Sequence, residues 1–211
     1  MADVMTRFFS LLLLSCCLAF TAQAKPAVPP VILVLGDSLS AGYGLPRESG
    51  WVSLLERRLQ SQGHPHRVVN ASVSGDTSAG GLSRLPAALE AHRPQIVLIE
   101  LGGNDGLRAQ PVPQLRANLE KMVALSRAAG ATPVLFEMQI PSNYGPAYTE
   151  RFAKVFGETA KAQKTPLVPF FLAAIATDAR QFQDDGIHPS IGAQPKLLDA
   201  VWPTLLPLLK P

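Results

Sequence analysis

The segment VILVLGDSLS, residues 31–40, joins a short apolar run to a polar turn, and the rest of the chain repeats this design. Five consecutive aliphatic residues ending at Gly36 have the length and composition of a buried β-strand. Gly36 lets the chain turn sharply because it has no Cβ. We therefore expect the Ser38 hydroxyl at the end of a strand and the start of a helix. A simple helix-capping serine would give the same pattern.

Strand and helix patterns alternate along the whole chain. The other strand candidates are 67–69, 96–101, 134–138 and 167–171. The helix candidates are 51–62, 77–89, 113–129, 146–164 and 194–209, and residues 172–190 are mostly irregular. Alternation of this kind indicates a parallel sheet covered on both faces. We predict a three-layer α/β/α sandwich with a five-stranded parallel sheet, which binds ligands at the carboxyl ends of its strands.

Length and composition favour one globular domain. The chain has 211 residues, of which 47% are hydrophobic and 17% are charged. The net charge of +3 is small, and the basic residues are scattered along helix candidates rather than gathered in a run. We therefore predict no nucleic-acid partner.

The first 24 residues have the pattern of a secretory signal peptide. Arg7 precedes an apolar run at 8–20, and Ala22-Gln23-Ala24 forms an A-x-A cleavage site. The run is shorter than the ~20 residues that a membrane-spanning helix needs. We predict cleavage after Ala24, a proline-rich lead-in at 25–30, and a single domain at 31–211. The product would be periplasmic or secreted, with no membrane span.

Both cysteines of the chain, Cys16 and Cys17, lie in this first segment. The mature chain would therefore have no disulfide and no thiolate metal site. Leu13-Leu14-Ser15-Cys16 resembles a bacterial lipoprotein cleavage box, so lipidation of Cys16 stays an alternative, as does an uncleaved anchor.

A candidate base lies near the C-terminus, in DDGIHP at 184–189. Asp185 and His188 are three residues apart, and Gly186 between them allows a tight turn. A carboxylate at this spacing can hold Nδ1 of His188 and leave Nε2 free for the Ser38 hydroxyl, as a catalytic triad requires. A plain surface turn would also contain Asp-Gly. The other histidines have no metal-ligand spacing with this pair, so we predict no metal site.

Two further polar segments follow strand candidates at the same expected edge. Asn104 lies in LGGND at 101–105, and its amide is a possible donor to an oxyanion. Gly75 lies in NASVSGDT at 70–77 and offers a backbone N–H. Each segment alone also fits an ordinary turn, because Asn and Gly favour turns.

Taken together, these segments resemble the four sequence blocks of the SGNH/GDSL hydrolases, in the same order. The matching blocks are GDSLS at 36–40, the Gly75 loop, GGND at 102–105 and DGIH at 185–188. The resemblance extends from residue 31 to the C-terminus. The stretches at 36–44, 101–107 and 183–189 are similar to the bacterial periplasmic thioesterase I / lysophospholipase / arylesterase group.

This resemblance implies a fold and a set of residue roles. The fold is the SGNH hydrolase fold, with the flavodoxin-like strand order 2-1-3-4-5. Ser38 corresponds to the nucleophile, His188 to the base and Asp185 to the carboxylate that orients it. The oxyanion hole corresponds to the N–H groups of Ser38 and Gly75 and the side-chain amide of Asn104.

The resemblance also implies an activity. We expect hydrolysis of small-molecule carboxylic esters and thioesters through an acyl-enzyme, without a cofactor, by a monomer. Leu39, Leu82, Leu107 and Ile140 are candidates for an apolar acyl groove, although they suit an ordinary core or surface equally well. The alternatives are a carbohydrate O-acetyl esterase of the same fold, and a non-catalytic flavodoxin-like protein whose Gly36 loop binds an anion at a helix N-terminus.

Overall fold

Five parallel strands form one sheet, in the order β2-β1-β3-β4-β5, in a computed structural model that describes residues 28–209. The predicted signal peptide, with Cys16 and the cleavage site at Ala24, lies outside the described residues. The strands are Val31–Gly36 (β1), Arg67–Asn70 (β2), Ile96–Glu100 (β3), Thr132–Phe136 (β4) and Leu167–Val168 (β5). The predicted sheet and its strand order are confirmed.

Helices flank this sheet. They are Ser38–Ala41 (α1), Trp51–Ser61 (α2), Ser78–His92 (α3), Gly103–Leu107 (α4), Val112–Ala128 (α5), Pro146–Gln163 (α6) and Gln194–Leu205 (α7). The long helices form two groups: α5 contacts both α3 and α6, whereas α2 pairs with α7. Within residues 28–209, no helix is both long and apolar enough to cross a bilayer.

The two central strands bring the polar turns together. Every residue of β1 and β3 is buried, because both faces of the sheet are covered. Their register pairs Ile32 with Ile96 and continues to Gly36 opposite Glu100. The turns that follow these two strands therefore open side by side at one edge of the sheet.

Prolines explain where two predicted elements end early. β5 has two residues rather than five, because Pro166 and Pro169 flank it and neither can donate a ladder hydrogen bond. The last α-helix ends at Leu205, and the turn of 3-10 helix that follows contains Pro207.

A third proline lies inside a strand. β4 begins two residues earlier than predicted and includes Pro133, paired with Val97. The strand tolerates this proline because its neighbours supply the ladder bonds. Thr132 donates to the Gln95 carbonyl at 2.8 Å, and Leu135 donates in the opposite direction, to the Pro166 carbonyl, at 3.0 Å.

Candidate active site

Two short helices begin directly after the central strands and carry Ser38 and Asn104. Ser38 is the first residue of α1, and Asp37 caps this helix by accepting the Leu39 N–H on Oδ1 at 3.0 Å. Asn104 is the second residue of α4, which begins directly after Gly102. Since β1 and β3 are neighbours, both helix N-termini lie at the same edge of the sheet.

Both turns need glycine for steric reasons. A Cβ on Gly36 would lie 2.6 Å from Glu100 Oε2 and 2.8 Å from Ser40 Oγ. Gly102 has φ +117°, and a Cβ there would lie 2.8 Å from the ring of Phe156. A larger residue at either position would displace the turn that carries the polar side chain.

Ser38, His188 and Asp185 form one hydrogen-bonded chain. His188 Nε2 lies 2.9 Å from Ser38 Oγ, and His188 Nδ1 lies 2.7 Å from Asp185 Oδ2. The other carboxylate oxygen accepts the backbone N–H groups of His188 and Ile187, both at 2.9 Å. The hydrogen bonds from the His188 backbone, the His188 ring and the Ile187 backbone lower the pKa of Asp185 to about 2. The carboxylate is therefore ionised at neutral pH.

A tight loop supports this pair. Gly186 has φ +67° and donates its N–H to the Gln183 carbonyl at 2.9 Å. An antiparallel bridge between Phe182 and Pro189 closes the loop. The loop thus brings a carboxylate and an imidazole only three residues apart into direct contact.

Two buried carboxyl groups lie beneath the serine, and neither was predicted as part of the site. Asp37 is 2% exposed and Glu100 is fully buried. Burial raises the pKa of Asp37 to about 6 and the pKa of Glu100 well above its ordinary value. Ser40 Oγ donates to Glu100 Oε2 at 2.5 Å, and Asn104 Nδ2 donates to Asp37 Oδ2 at 3.0 Å. Asp37 thus engages one amide N–H of Asn104 and leaves the second available to a ligand.

Gly75 lies in the loop after β2, with φ +80°. Its carbonyl accepts a hydrogen bond from Arg108 at 2.9 Å. Directly after the loop, Ser78, the first residue of α3, donates its N–H and its hydroxyl to Asp105, at 2.8 and 2.5 Å. α4 and the residue after it therefore anchor the Gly75 loop as well as carrying Asn104.

An apolar cavity of about 760 Å³ opens beside Ser38, Asn104 and His188. Its size and character are those of a small-molecule site. The predicted groove residues Leu39, Leu107 and Ile140 line it, and other apolar lining side chains include Met138, Pro141, Phe170, Leu172, Phe182 and Ile187.

Two predicted site residues do not line this cavity. Leu82 lies on α3, where it is half-buried and packs against the core, and it is absent from the lining of this cavity. Gly75 also lies outside the cavity lining, in its loop after β2.

The GDSL-like Lipase/Acylhydrolase family model matches residues 34–191. The chain belongs to this family. Esterase TesA of Pseudomonas aeruginosa is 54% identical over 198 residues, which cover 94% of this chain and 98% of that protein. Thioesterase 1/protease 1/lysophospholipase L1 of Escherichia coli K12 is 44% identical over 185 residues, 88% of each chain. The crystal structure of TesA matches with a TM-score of 0.82 at 55% identity, over 85% of this chain and 99% of that one.

Membership of the GDSL family confirms the predicted family and the predicted class of enzyme, a hydrolase of ester bonds. It also rules against the alternative of a non-catalytic flavodoxin-like binding protein.

Proposed function

We propose that this chain is a serine esterase that hydrolyses carboxylic esters and thioesters through an acyl-enzyme on Ser38. One observation carries the proposal: Asp185, His188 and Ser38 are hydrogen-bonded in sequence at the mouth of an apolar cavity. The relatives, which are named as an esterase and as a thioesterase with lysophospholipase, support the same class of substrate.

The reaction begins when Ser38 Oγ attacks the ester carbonyl and His188 Nε2 takes its proton. Asp185 keeps the other ring nitrogen protonated and stabilises the imidazolium that forms. The imidazolium then gives its proton to the departing alcohol or thiol, which leaves the acyl group on Ser38. Water, deprotonated by the same imidazole, releases the acid and restores the hydroxyl.

We propose that three groups donate hydrogen bonds to the oxyanion of the tetrahedral intermediate: the N–H groups of Ser38 and Gly75 and the side-chain amide of Asn104. The Ser38 N–H lies at the N-terminus of α1, where helix N–H groups lack intrahelical partners. The hydrogen bond to Asp37 orients the Asn104 amide, so that little reorganisation is needed when the oxyanion forms.

Replacing Asn104 with alanine should lower kcat by about 10²–10³-fold, because the oxyanion loses a donor that acts mainly in the transition state. KM should change little, since the ground-state ester makes little use of this donor. The matched control is Asn143→Ala, which removes an exposed amide from the turn Ser142–Tyr144 and should keep the parent rate. A loss of less than threefold in the Asn104 variant would remove this residue from the oxyanion hole.

The apolar cavity predicts a preference for longer acyl chains. Each buried methylene contributes about 0.8 kcal/mol, so partial burial of an octanoyl chain should raise kcat/KM at least tenfold above the acetyl value. The measurement is kcat/KM for p-nitrophenyl acetate and octanoate, followed by octanoyl-CoA and a lysophospholipid. A higher value for acetyl than for octanoyl esters would favour a carbohydrate O-acetyl esterase instead.

We further propose that the chain is exported, that residues 1–24 are removed, and that the mature enzyme acts as a monomer in the periplasm or outside the cell. The N-terminal sequence pattern supports export, and the site uses groups from a single chain. Mass spectrometry of the exported protein should find an N-terminus at Lys25. A lipid-modified Cys16 would indicate a lipoprotein.

A further inference from the structure

The loop between α1 and α2 places an aromatic ring against the imidazole of His188. The ring centroids of Tyr43 and His188 are 4.4 Å apart, and the ring planes are tilted by 36°. Tyr43 is 52% exposed, so burial in the core does not account for its position. Its ring covers one side of the proposed base.

The backbone of Tyr43 also links the nucleophile to the loop that bears the base. Its N–H donates to the Ser38 carbonyl at 3.2 Å, and its carbonyl accepts from Gln183 Nε2 at 2.8 Å. Gln183 in turn donates its backbone N–H to the His188 carbonyl at 2.8 Å and its side-chain amide to the Pro189 carbonyl at 3.2 Å. The backbone of Tyr43 is therefore bonded both to Ser38 and, through Gln183, to the loop that carries His188.

Close packing at the next residue restricts this arrangement further. Gly44 has φ +70°, and a Cβ there would lie 2.1 Å from Gln183 Oε1. No side chain fits between the loop and Gln183 without displacing one of them. The backbone that carries the Tyr43 ring is consequently held by the same contacts that hold the His188 loop.

We propose that Tyr43 is a positioning residue for His188. The phenol ring of Tyr43 keeps the imidazole against Ser38 Oγ and stabilises the imidazolium. A cation within ~6 Å of an aromatic centroid is attracted by the negative face of the ring. The imidazole acquires such a charge when the Ser38 proton moves to Nε2. The inference rests on the proposed function, since it requires His188 to act as the base.

Two carboxylates also act on the imidazole of His188, and the test must distinguish their effect from that of the Tyr43 ring. Asp185 lies 2.7 Å from Nδ1, and the buried Asp37 interacts with His188 electrostatically. Both favour the imidazolium, and neither hydrogen-bonds to the phenol ring of Tyr43. A change at position 43 that leaves Asp37 and Asp185 in place therefore reports on the ring.

The test compares Tyr43→Phe, which keeps the aromatic face, with Tyr43→Leu, which keeps apolar bulk without it. The phenylalanine variant should retain kcat within twofold of the parent, at unchanged KM. The leucine variant should lose about fivefold in kcat at unchanged KM, because stabilisation of the imidazolium is lost.

Equal kcat for the two variants would overturn the proposal, as would a loss of activity in Tyr43→Phe. His188→Ala serves as the reference variant. If it is inactive while Tyr43→Leu behaves like the parent, only the role of Tyr43 is wrong. If His188→Ala itself keeps the parent rate, the proposed function is wrong as well.

Discussion

Replacing Ser38 with alanine is expected to lower kcat for p-nitrophenyl esters by about 10⁴- to 10⁶-fold, because the proposed acyl-enzyme forms on its Oγ. The change removes Oγ, which lies 2.9 Å from His188 Nε2, and keeps the backbone N–H at the start of α1. Residual turnover would come from the remaining oxyanion donors and from substrate binding. The measurement is kcat at saturating ester, with thermal unfolding to verify that the variant is folded.

Ser49→Ala is the matched control for this substitution. The Ser49 hydroxyl donates to the Pro46 carbonyl in a loop, at 2.6 Å, and takes no part in the proposed chemistry. Its replacement should leave kcat unchanged. A Ser38→Ala enzyme that turns over within tenfold of the parent would contradict the assignment of the nucleophile.

Replacing Asp185 with asparagine should lower kcat by about 10⁴-fold, while the size of the side chain stays the same. An asparagine amide can donate to Nδ1 of His188. The imidazole would then carry its proton on Nε2, where the base must be free to accept the proton of Ser38. Since the pKa of Asp185 is about 2, the parent carboxylate is ionised throughout a normal assay range. The loss should therefore be of similar size from pH 6 to pH 9, and it should not appear as a shifted pH profile.

The neighbouring carboxylate supplies the control for this variant. Asp184 is exposed, immediately precedes Asp185, and makes no hydrogen bond to His188 in the described structure. Asp184→Asn removes the same charge from the same loop and should retain the parent rate. Equal losses in the two variants would mean that the charge of the loop matters, and that the bond to Nδ1 does not.

Local sequence patterns predicted the strands, the turns and the residues at the sheet edge. The apolar runs before Gly36 and Gly102 specify buried strands, and the glycines specify turns in which a Cβ would clash with Glu100 or Phe156. The Asp-x-x-His spacing around a glycine likewise requires no long-range information. These signals marked Ser38 and His188 as candidates, and the resemblance of four sequence blocks to the SGNH/GDSL hydrolases assigned both residues to one site.

Contacts between distant segments could not be predicted in the same way. The bonds from Ser40 to Glu100 and from Asn104 to Asp37 join residues 60 and 67 positions apart, and they depend on the register of β1 and β3. The one local sign of these buried carboxyl contacts was the charged Glu100 at the end of an otherwise apolar strand.

The positions of Leu82 and of the Tyr43 ring also depend on tertiary contacts, and local sequence patterns do not specify them. The position of Leu82 against the core depends on how α3 rotates on the sheet. The contact between Tyr43 and His188 depends on a loop held by Gln183.

Trapping the covalent intermediate tests the central claim most directly. The mature enzyme would be treated with a fluorophosphonate, and the modified residue would be identified by peptide mass spectrometry, with His188→Ala treated in parallel. The account predicts one adduct, on Ser38, formed as ester hydrolysis is lost and formed far more slowly without His188. Loss of activity with the adduct on a different residue, or full activity in an enzyme modified at Ser38, would contradict it.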